Sequence, residues 1–288
     1  MASPNHIENP FEFVIEKLGW AISDLGRAAL PNPTRHIGEA VPVVRKITAG
    51  DLWDSLKKGV ADVGALRDDI LFIALIYPLA GLVLVRLTFS LDLLPLVFPL
   101  ASGFALIGPV AAVGLYELSR RREQGDHVTW LDAFGVFRSP ALMSILGLGL
   151  ILLALFFVWL GVAYEIYLLN LGGPAPPSIA AFERSVFQTG GGWAMIAEGF
   201  GVGFLFAVAA FAISVVSFPL LLDRDVNMWT AIATSLRAVK ANPGVMLLWG
   251  AIVAGSLALG SLPALVGLIF VVPVLGHATW HLYRKMIG

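Results

Sequence analysis

Cysteine is absent from the 288 residues of this chain, and charged side chains make up only 14% of it. Without cysteine the chain cannot form disulfides, thiolate metal sites, iron–sulfur clusters or covalent c-type haem links. A soluble domain carries about 25% charged residues. The net charge of −1 offers no basic surface for nucleic acid, so no nucleic-acid partner is predicted.

Long apolar stretches take the place of the missing charges. Hydrophobic residues supply 58% of the chain. Six stretches are long enough to cross a bilayer core, which takes about 20 helical residues. We place these predicted spans at residues 69–88, 93–116, 141–168, 193–222, 244–261 and 263–283. They lack the period-2 alternation of barrel strands, so the predicted fold class is all-α, a polytopic membrane helix bundle.

The basic residues predict an orientation for this bundle. Of the 19 Lys and Arg residues, 17 fall in segments on one side of the predicted spans. Basic segments stay in the cytoplasm, so that side is predicted to be cytoplasmic. Because the number of spans is even, both termini are predicted to lie there. We expect a multi-pass protein of the bacterial inner membrane.

Three short amphipathic segments precede a predicted span, and each contains a tryptophan near its start: Trp53, Trp130 and Trp229. The first two starts are Asp51-Leu52-Trp53 and Thr129-Trp130, and the third is Asn227-Met228-Trp229. The apolar residues recur at helical spacing, which predicts helices that rest in the headgroup layer. The lipid bilayer is therefore an expected partner, with the three tryptophans as interfacial anchors.

Further details of these segments follow from their aromatic residues and prolines. In the second segment, Phe134 and Phe137 are predicted to share one helix face with Trp130. Pro140 and Pro243 are predicted to end the second and third segments, because proline disfavours continuation of a helix before it.

A sequence match supports an internal repeat. Residues 108–121 align with residues 272–285, and Pro109 then corresponds to Pro273. We predict three pseudo-repeats, each of an interfacial helix and two spans, over about 50–118, 128–223 and 226–286. They would form a six-span membrane domain covering residues 41–288. Convergence of aromatic belts and basic ends is the alternative explanation of the match.

Residues 1–40 precede this domain as an N-terminal extension. Residues 10–29 are predicted to form an amphipathic helix. Phe13 and Trp20, seven residues apart, interrupt its polar side and are the predicted partner-binding residues. The alternative is that this helix packs on the protein's own cytoplasmic face.

Few ionisable residues lie inside predicted spans, where they are functional candidates because burial in hydrocarbon is costly. His277 and His281 are four residues apart, a spacing that can bind a metal or haem, and Glu117 could join them if the second and sixth spans pack together. They are weak candidates against an interfacial hydrogen-bonding pair. Glu198 is a candidate proton or ion site, with snorkelling to the interface as its alternative. No catalytic motif is present, so neither an enzyme nor a cofactor is predicted.

Several runs of this sequence resemble a known family. They are VRKITAGDLWDSLKKGVAD at 44–62, FPLASGFALIGPVAAVGLYELSRRREQG at 98–125, FPLLLDRDVNMWTAIATSLRAVKANP at 218–243 and LGHATWHLYRK at 275–285. The family is a bacterial, mainly alphaproteobacterial, set of predicted integral membrane proteins with a domain of unknown function. Some members carry the automatic label of cytochrome c oxidase subunit. The resemblance implies an inner-membrane protein and supplies no ligands.

Three functions are compatible with these observations. The leading hypothesis is a non-catalytic inner-membrane accessory or scaffold protein, a supernumerary subunit or assembly factor of a respiratory complex of the cytochrome oxidase or bc1 type. A catalytic oxidase subunit needs several intramembrane histidines, and here only His277 and His281 lie in a predicted span. The alternative is a transporter or channel for a small solute or ion, which would use Glu198. The third is a redox protein with haem or metal on the two histidines.

Overall fold

The computed structural model describes residues 42–65, 82, 86, 94–126, 128–172, 176, 178–263 and 265–288. Within these ranges the chain is helical, and the extended residues form one isolated antiparallel bridge between Val44 and Ile287. Apart from residues 82 and 86, the predicted first span lies outside the described residues, as do the predicted N-terminal helix at 10–29 and its residues Phe13 and Trp20.

The helices follow one another with short connections. Their bounds are α1 Ala49–Ala65, a 3-10 turn Leu94–Leu96, α2 Val97–Ala111, α3 Val113–Glu123, a longer 3-10 helix Trp130–Arg138, α4 Leu142–Asn170, α5 Ile179–Gln188, α6 Gly190–Ser214, α7 Ser217–Asp223, α8 Met228–Ala241, α9 Pro243–Ser261 and α10 Leu268–Met286. The all-α fold class is therefore confirmed for the described part of the chain.

The starts of the three amphipathic segments are fixed by local side-chain caps. Thr129 and Asp132 form a capping box at the 3-10 helix, and Asn227 accepts a hydrogen bond from the backbone N–H of Thr230 at the start of α8. The first helix, α1, begins at Ala49, two residues before the predicted start at Asp51. Thr48 precedes the helix, and Asp51 lies in its first turn, where its carboxylate accepts from the backbone N–H of Thr48 at 2.8 Å.

Both predicted proline corners are present. Pro140 lies between the 3-10 helix and α4, and Pro243 is the first residue of α9. A proline is tolerated there because the first N–H groups of a helix have no intrahelical partner. The amphipathic segments therefore end where the sequence placed their ends.

Three helical stretches among the described residues are long and apolar enough to cross a membrane: Leu142–Asn170, Gly190–Asp223 and Pro243–Ser261. They coincide with three of the predicted spans. The predicted spans at 93–116 and 263–283 also fall on helices, α2 with the start of α3 and α10. The total of six, the three-unit repeat and the cytoplasmic termini stay predictions.

Burial is distributed unevenly along these helices. In the most apolar stretches of α4 and α9, only 22% and 17% of the residues are buried inside the protein. The C-terminal half of α10 is enclosed instead, with Trp280 and Tyr283 fully buried, as is Phe218 of α7. One enclosed part of the core therefore lies where α10 meets α1, α3 and α7, while α4 and α9 bury one side in the core and turn broad apolar surfaces outward.

Candidate functional site

The polar side chains of this core converge on Asp62, near the C-terminal end of α1. Leu52, Ser55, Gly59 and Asp62 are the buried residues of α1, and their spacing of three and four places them on one face. That face packs closely on α10. A Cβ atom at Gly59 would lie 2.7 Å from the carbonyl oxygen of Val274 and 2.8 Å from the nitrogen of Ala278. Only glycine allows this approach, which carries Asp62 into the core.

The Asp62 carboxylate accepts hydrogen bonds from three other side chains. The hydroxyl of Ser119 donates at 2.8 Å, His281 Nε2 at 2.9 Å and Arg122 Nη1 at 2.7 Å. Burial by itself would raise the pKa of Asp62, but the hydrogen bonds from His281 and Ser119 outweigh it and hold the pKa below its usual range. Asp62 therefore joins α1 to both α3 and α10.

His277 completes this cluster from the neighbouring turn of α10. Its Nδ1 lies 2.6 Å from Ser119 Oγ. A serine hydroxyl has one hydrogen, so if Ser119 donates it to Asp62, His277 Nδ1–H must donate to Ser119. The Nε2 atom of His277 is then an acceptor, and it is buried with no hydrogen-bond partner among the described residues. The cluster is thus a linear chain of hydrogen bonds from His281 through Asp62 and Ser119 to His277.

The predicted site histidines therefore do face one site, but their partners differ from those expected. Glu117 does not join them, which corrects that expectation. It accepts from Arg120 at 2.8 Å and from Arg121 at 2.7 Å. Among the described residues no group of three or more His, Cys, Asp or Glu side chains could hold a metal ion.

A second charged group ties α3 to the 3-10 helix. Arg121 bridges Glu117 and Asp132, the latter at 2.6 Å. Burial opposes ionisation of Glu117, yet the hydrogen bonds from Arg120 and Arg121 lower its pKa. Both carboxylates are therefore charged at neutral pH: Glu117 holds Arg121 within α3, and Asp132 accepts from Arg121 across to the 3-10 helix.

A third group joins α7 and α3 to the end of α10. The Tyr283 hydroxyl donates to Asp223 at 2.6 Å, and Arg284 contacts the same carboxylate at 3.1 Å. Trp280 Nε1 donates to Glu123 at 3.0 Å. Asp223 therefore pairs with a helix that is about 60 residues away along the chain.

Asn242, between α8 and α9, holds the segment that leads into α1. Its Oδ1 accepts from the Ile47 N–H at 2.8 Å, and its Nδ2 donates to the carbonyls of Arg45 and Ala238, each at 3.1 Å. The same segment pairs with the C-terminus, since the Arg45 N–H donates to the Met286 carbonyl at 2.8 Å. Residues 42–48 are therefore held by hydrogen bonds to Asn242 on one side and to the C-terminal residues on the other.

The remaining predicted site residues lie apart from this core. Glu198 is exposed on α6, where the Asn170 side chain of α4 donates to it at 2.8 Å. Trp53 and Trp229 are exposed, as expected for interfacial anchors, and Lys57 lies 5.5 Å from the ring centroid of Trp53. The side chain of Trp130 is outside the described part of the structure.

Sequence reasoning missed Asp62, Ser119, Arg122 and Asn242. Asp62 carried one usable signal, since it falls three residues after Gly59 on the apolar side of an amphipathic helix. A carboxylate in that position needs a buried partner. Its partners lie 57 and 219 residues away along the chain, and no pattern in α1 could identify them.

These features define a helical integral membrane protein. Comparison with known families agrees: residues 97–223 match the family described as "Predicted integral membrane protein (DUF2189)", a domain of unknown function. The resemblance seen in the sequence is thereby confirmed over that range. The match spans α2 to α7, and so includes Ser119 and Arg122 but not Asp62, His277 or His281. No curated protein and no solved structure matches the chain.

Proposed function

We propose that this protein is a non-catalytic accessory or scaffold protein of the bacterial inner membrane, which serves as a supernumerary subunit or assembly factor of a respiratory complex. The main support for the proposal is that the polar residues of the core hydrogen-bond to one another. Asp62, Ser119, His277 and His281 bind one another and join helices. Such a network stabilises one arrangement of the bundle.

A catalytic reading of the same residues does not suit their geometry. In a nucleophile–base–acid triad the histidine bonds the nucleophile through one ring nitrogen and the acid through the other. Here Ser119 and Asp62 both approach Nδ1 of His277, at 2.6 and 3.8 Å. Ser119 is 1% exposed and His277 0%. A substrate would have no route to the hydroxyl, which favours a structural role.

The packing around α1 suits a scaffold that presents its N-terminal extension. Asn242 and the C-terminus fix residues 42–48, and Asp62 fixes the other end of α1. Residues 1–40 are therefore joined to a firmly held segment. Phe13 and Trp20 are proposed to bind the partner from there.

The proposal is tested by purifying the tagged full-length protein from its native membrane in mild detergent. We expect a stoichiometric partner by mass spectrometry and haem bands in the visible spectrum of the same sample. A double variant, Phe13→Ala with Trp20→Ala, is expected to lose the partner. The matched control is Phe11→Ala with Ile15→Ala, on the predicted apolar side of the same helix, and it should retain the partner. A wild-type protein that migrates alone and colourless would contradict the proposal.

Transport of a small solute or ion is the second candidate, and Glu198 is the observation that favours it. The Glu198 carboxylate of α6 accepts a hydrogen bond from Asn170 of α4, and so joins two apolar helices. An ionisable side chain within a membrane-spanning helix is costly and is therefore a functional candidate. Flux into liposomes that contain the purified protein, lost in Glu198→Gln, would support this function. Absence of flux with a panel of ions and small solutes would eliminate it.

A further inference from the structure

The 3-10 helix Trp130–Arg138 carries a continuous apolar stripe on its outer side. A 3-10 helix has three residues per turn, so residues three apart lie directly above one another. Leu131, Phe134 and Phe137 are therefore aligned, and they are 59%, 49% and 66% exposed. The predicted α-helical spacing grouped Phe134 and Phe137 with Trp130. The 3-10 register aligns Phe134 and Phe137 with Leu131, while the side chain of Trp130 lies outside the described part of the structure.

The inner side of this helix holds the stripe in place. Ala133 and Val136 are buried, and Ala133 packs with Leu115 and Leu118 of α3. The ion pair between Arg121 and Asp132 and the capping box at Thr129 fix its first turn. The apolar stripe therefore faces outward because the opposite side is firmly packed.

The stripe is followed in the chain by a membrane helix whose first turns also expose apolar side chains. Three residues separate the end of the 3-10 helix at Arg138 from the start of α4 at Leu142. Helix α4 is one of the helices that are long and apolar enough to span a membrane. Its first turns expose Met143, Leu146 and Leu150. Arg138, at the end of the 3-10 helix, is exposed too, where a lipid phosphate would complement its charge.

We propose that the Leu131–Phe134–Phe137 stripe inserts into the lipid at the membrane–water boundary, beside the first turns of α4. The occupant of the stripe is the bilayer, because the stripe directly precedes a helix that is long and apolar enough to span a membrane and exposes apolar residues in its first turns, and because a basic residue, Arg138, follows the stripe. Amphipathic elements with aromatic residues bury their apolar side about 5–10 Å into this boundary. The inference is independent of whether the protein acts as a scaffold or a transporter.

The absence of cysteine allows a direct test, since single cysteines can be introduced without background. The full-length L131C and F137C variants are labelled with a nitroxide, reconstituted into liposomes of phosphatidylethanolamine and phosphatidylglycerol, and probed for collisions with oxygen and with a water-soluble nickel chelate. The L146C variant on α4 is the lipid-facing reference. The Q124C variant, in the exposed turn after α3, is the aqueous reference.

We expect the oxygen-to-nickel collision ratio at positions 131 and 137 to match that at 146 and to exceed that at 124 several-fold. Ratios equal to that at 124 would overturn the inference, because the stripe would then face water. Exclusion of both reagents would overturn it too, since protein would cover the stripe. Two labelled positions keep the test decisive if one variant fails to fold.

Discussion

Substitution of Asp62 tests whether the buried polar cluster stabilises the bundle. Asp62→Ala removes the acceptor shared by Ser119, His281 and Arg122. These donors come from α3 and α10, so the change removes the buried side-chain hydrogen bonds by which Asp62 joins α1 to those two helices. We expect a large loss of unfolding free energy.

The magnitude follows from how enclosed each donor is. Breaking a buried charged pair by removing one partner costs about 3–5 kcal/mol. Here the Arg122 side chain is 37% exposed and can regain water, whereas Ser119 is enclosed. We therefore expect a loss near the lower limit, about 3 kcal/mol, most of it from desolvated donors left without an acceptor. Asp62→Asn should lose less, because its amide oxygen can still accept one hydrogen bond.

The assay is denaturant-induced unfolding in mild detergent, followed by circular dichroism. Asp54→Ala is the matched control on the same helix, since Asp54 is exposed and pairs only with Lys285 and Lys58 among the described residues. An exposed ion pair contributes little, so the control should behave as wild type. If Asp62→Ala lost no more stability than Asp54→Ala, the cluster would not be a stabilising link.

Three further perturbations address the packing, the fixed N-terminal segment and the acid response. Gly59→Ala should cost about 1–3 kcal/mol of unfolding free energy through overpacking. Gly64→Ala is the control and should not destabilise the protein, because its Cβ atom would meet no atom within 4 Å. Equal melting temperatures of the two variants would contradict the close approach of α1 to α10. Asn242→Ala should cost about 1–3 kcal/mol and speed hydrogen exchange at residues 42–48; unchanged exchange would show that Asn242 does not hold this segment. Because the pKa of Glu117 is lowered in the folded state, its stabilisation is complete above its ordinary pKa of about 4.3 and is lost as the pH falls through the lower folded value. Glu117→Gln should therefore flatten the loss of stability below pH about 4, and an unchanged acid slope in that variant would refute the assignment.

Glu117 shows how sequence reasoning can find a residue and misplace its partner. Its position near the end of a predicted span identified it as an ionisable group worth attention. The alignment of residues 108–121 with 272–285 suggested that it could join His277 and His281 if the second and sixth spans pack together. Instead, Arg120 and Arg121, three and four residues further along α3, lie on its own helix face and reach it first.

Charge composition, apolar length and local capping could be predicted from the sequence alone. The 14% charged residues and the long apolar stretches already required a membrane helix bundle. Thr129, Asn227, Pro140 and Pro243 marked helix ends because caps and proline corners depend on neighbours within four residues.

Tertiary structure alone decided the two features on which the proposals rest. The first is the convergence of Asp62, Ser119 and His281, which depends on helices far apart in the chain and on a glycine contact between α1 and α10. The second is the apolar stripe beginning at Leu131. In nine residues an apolar pattern does not distinguish three residues per turn from 3.6, so only the hydrogen-bonded register of the 3-10 helix determines which side chains face outward together.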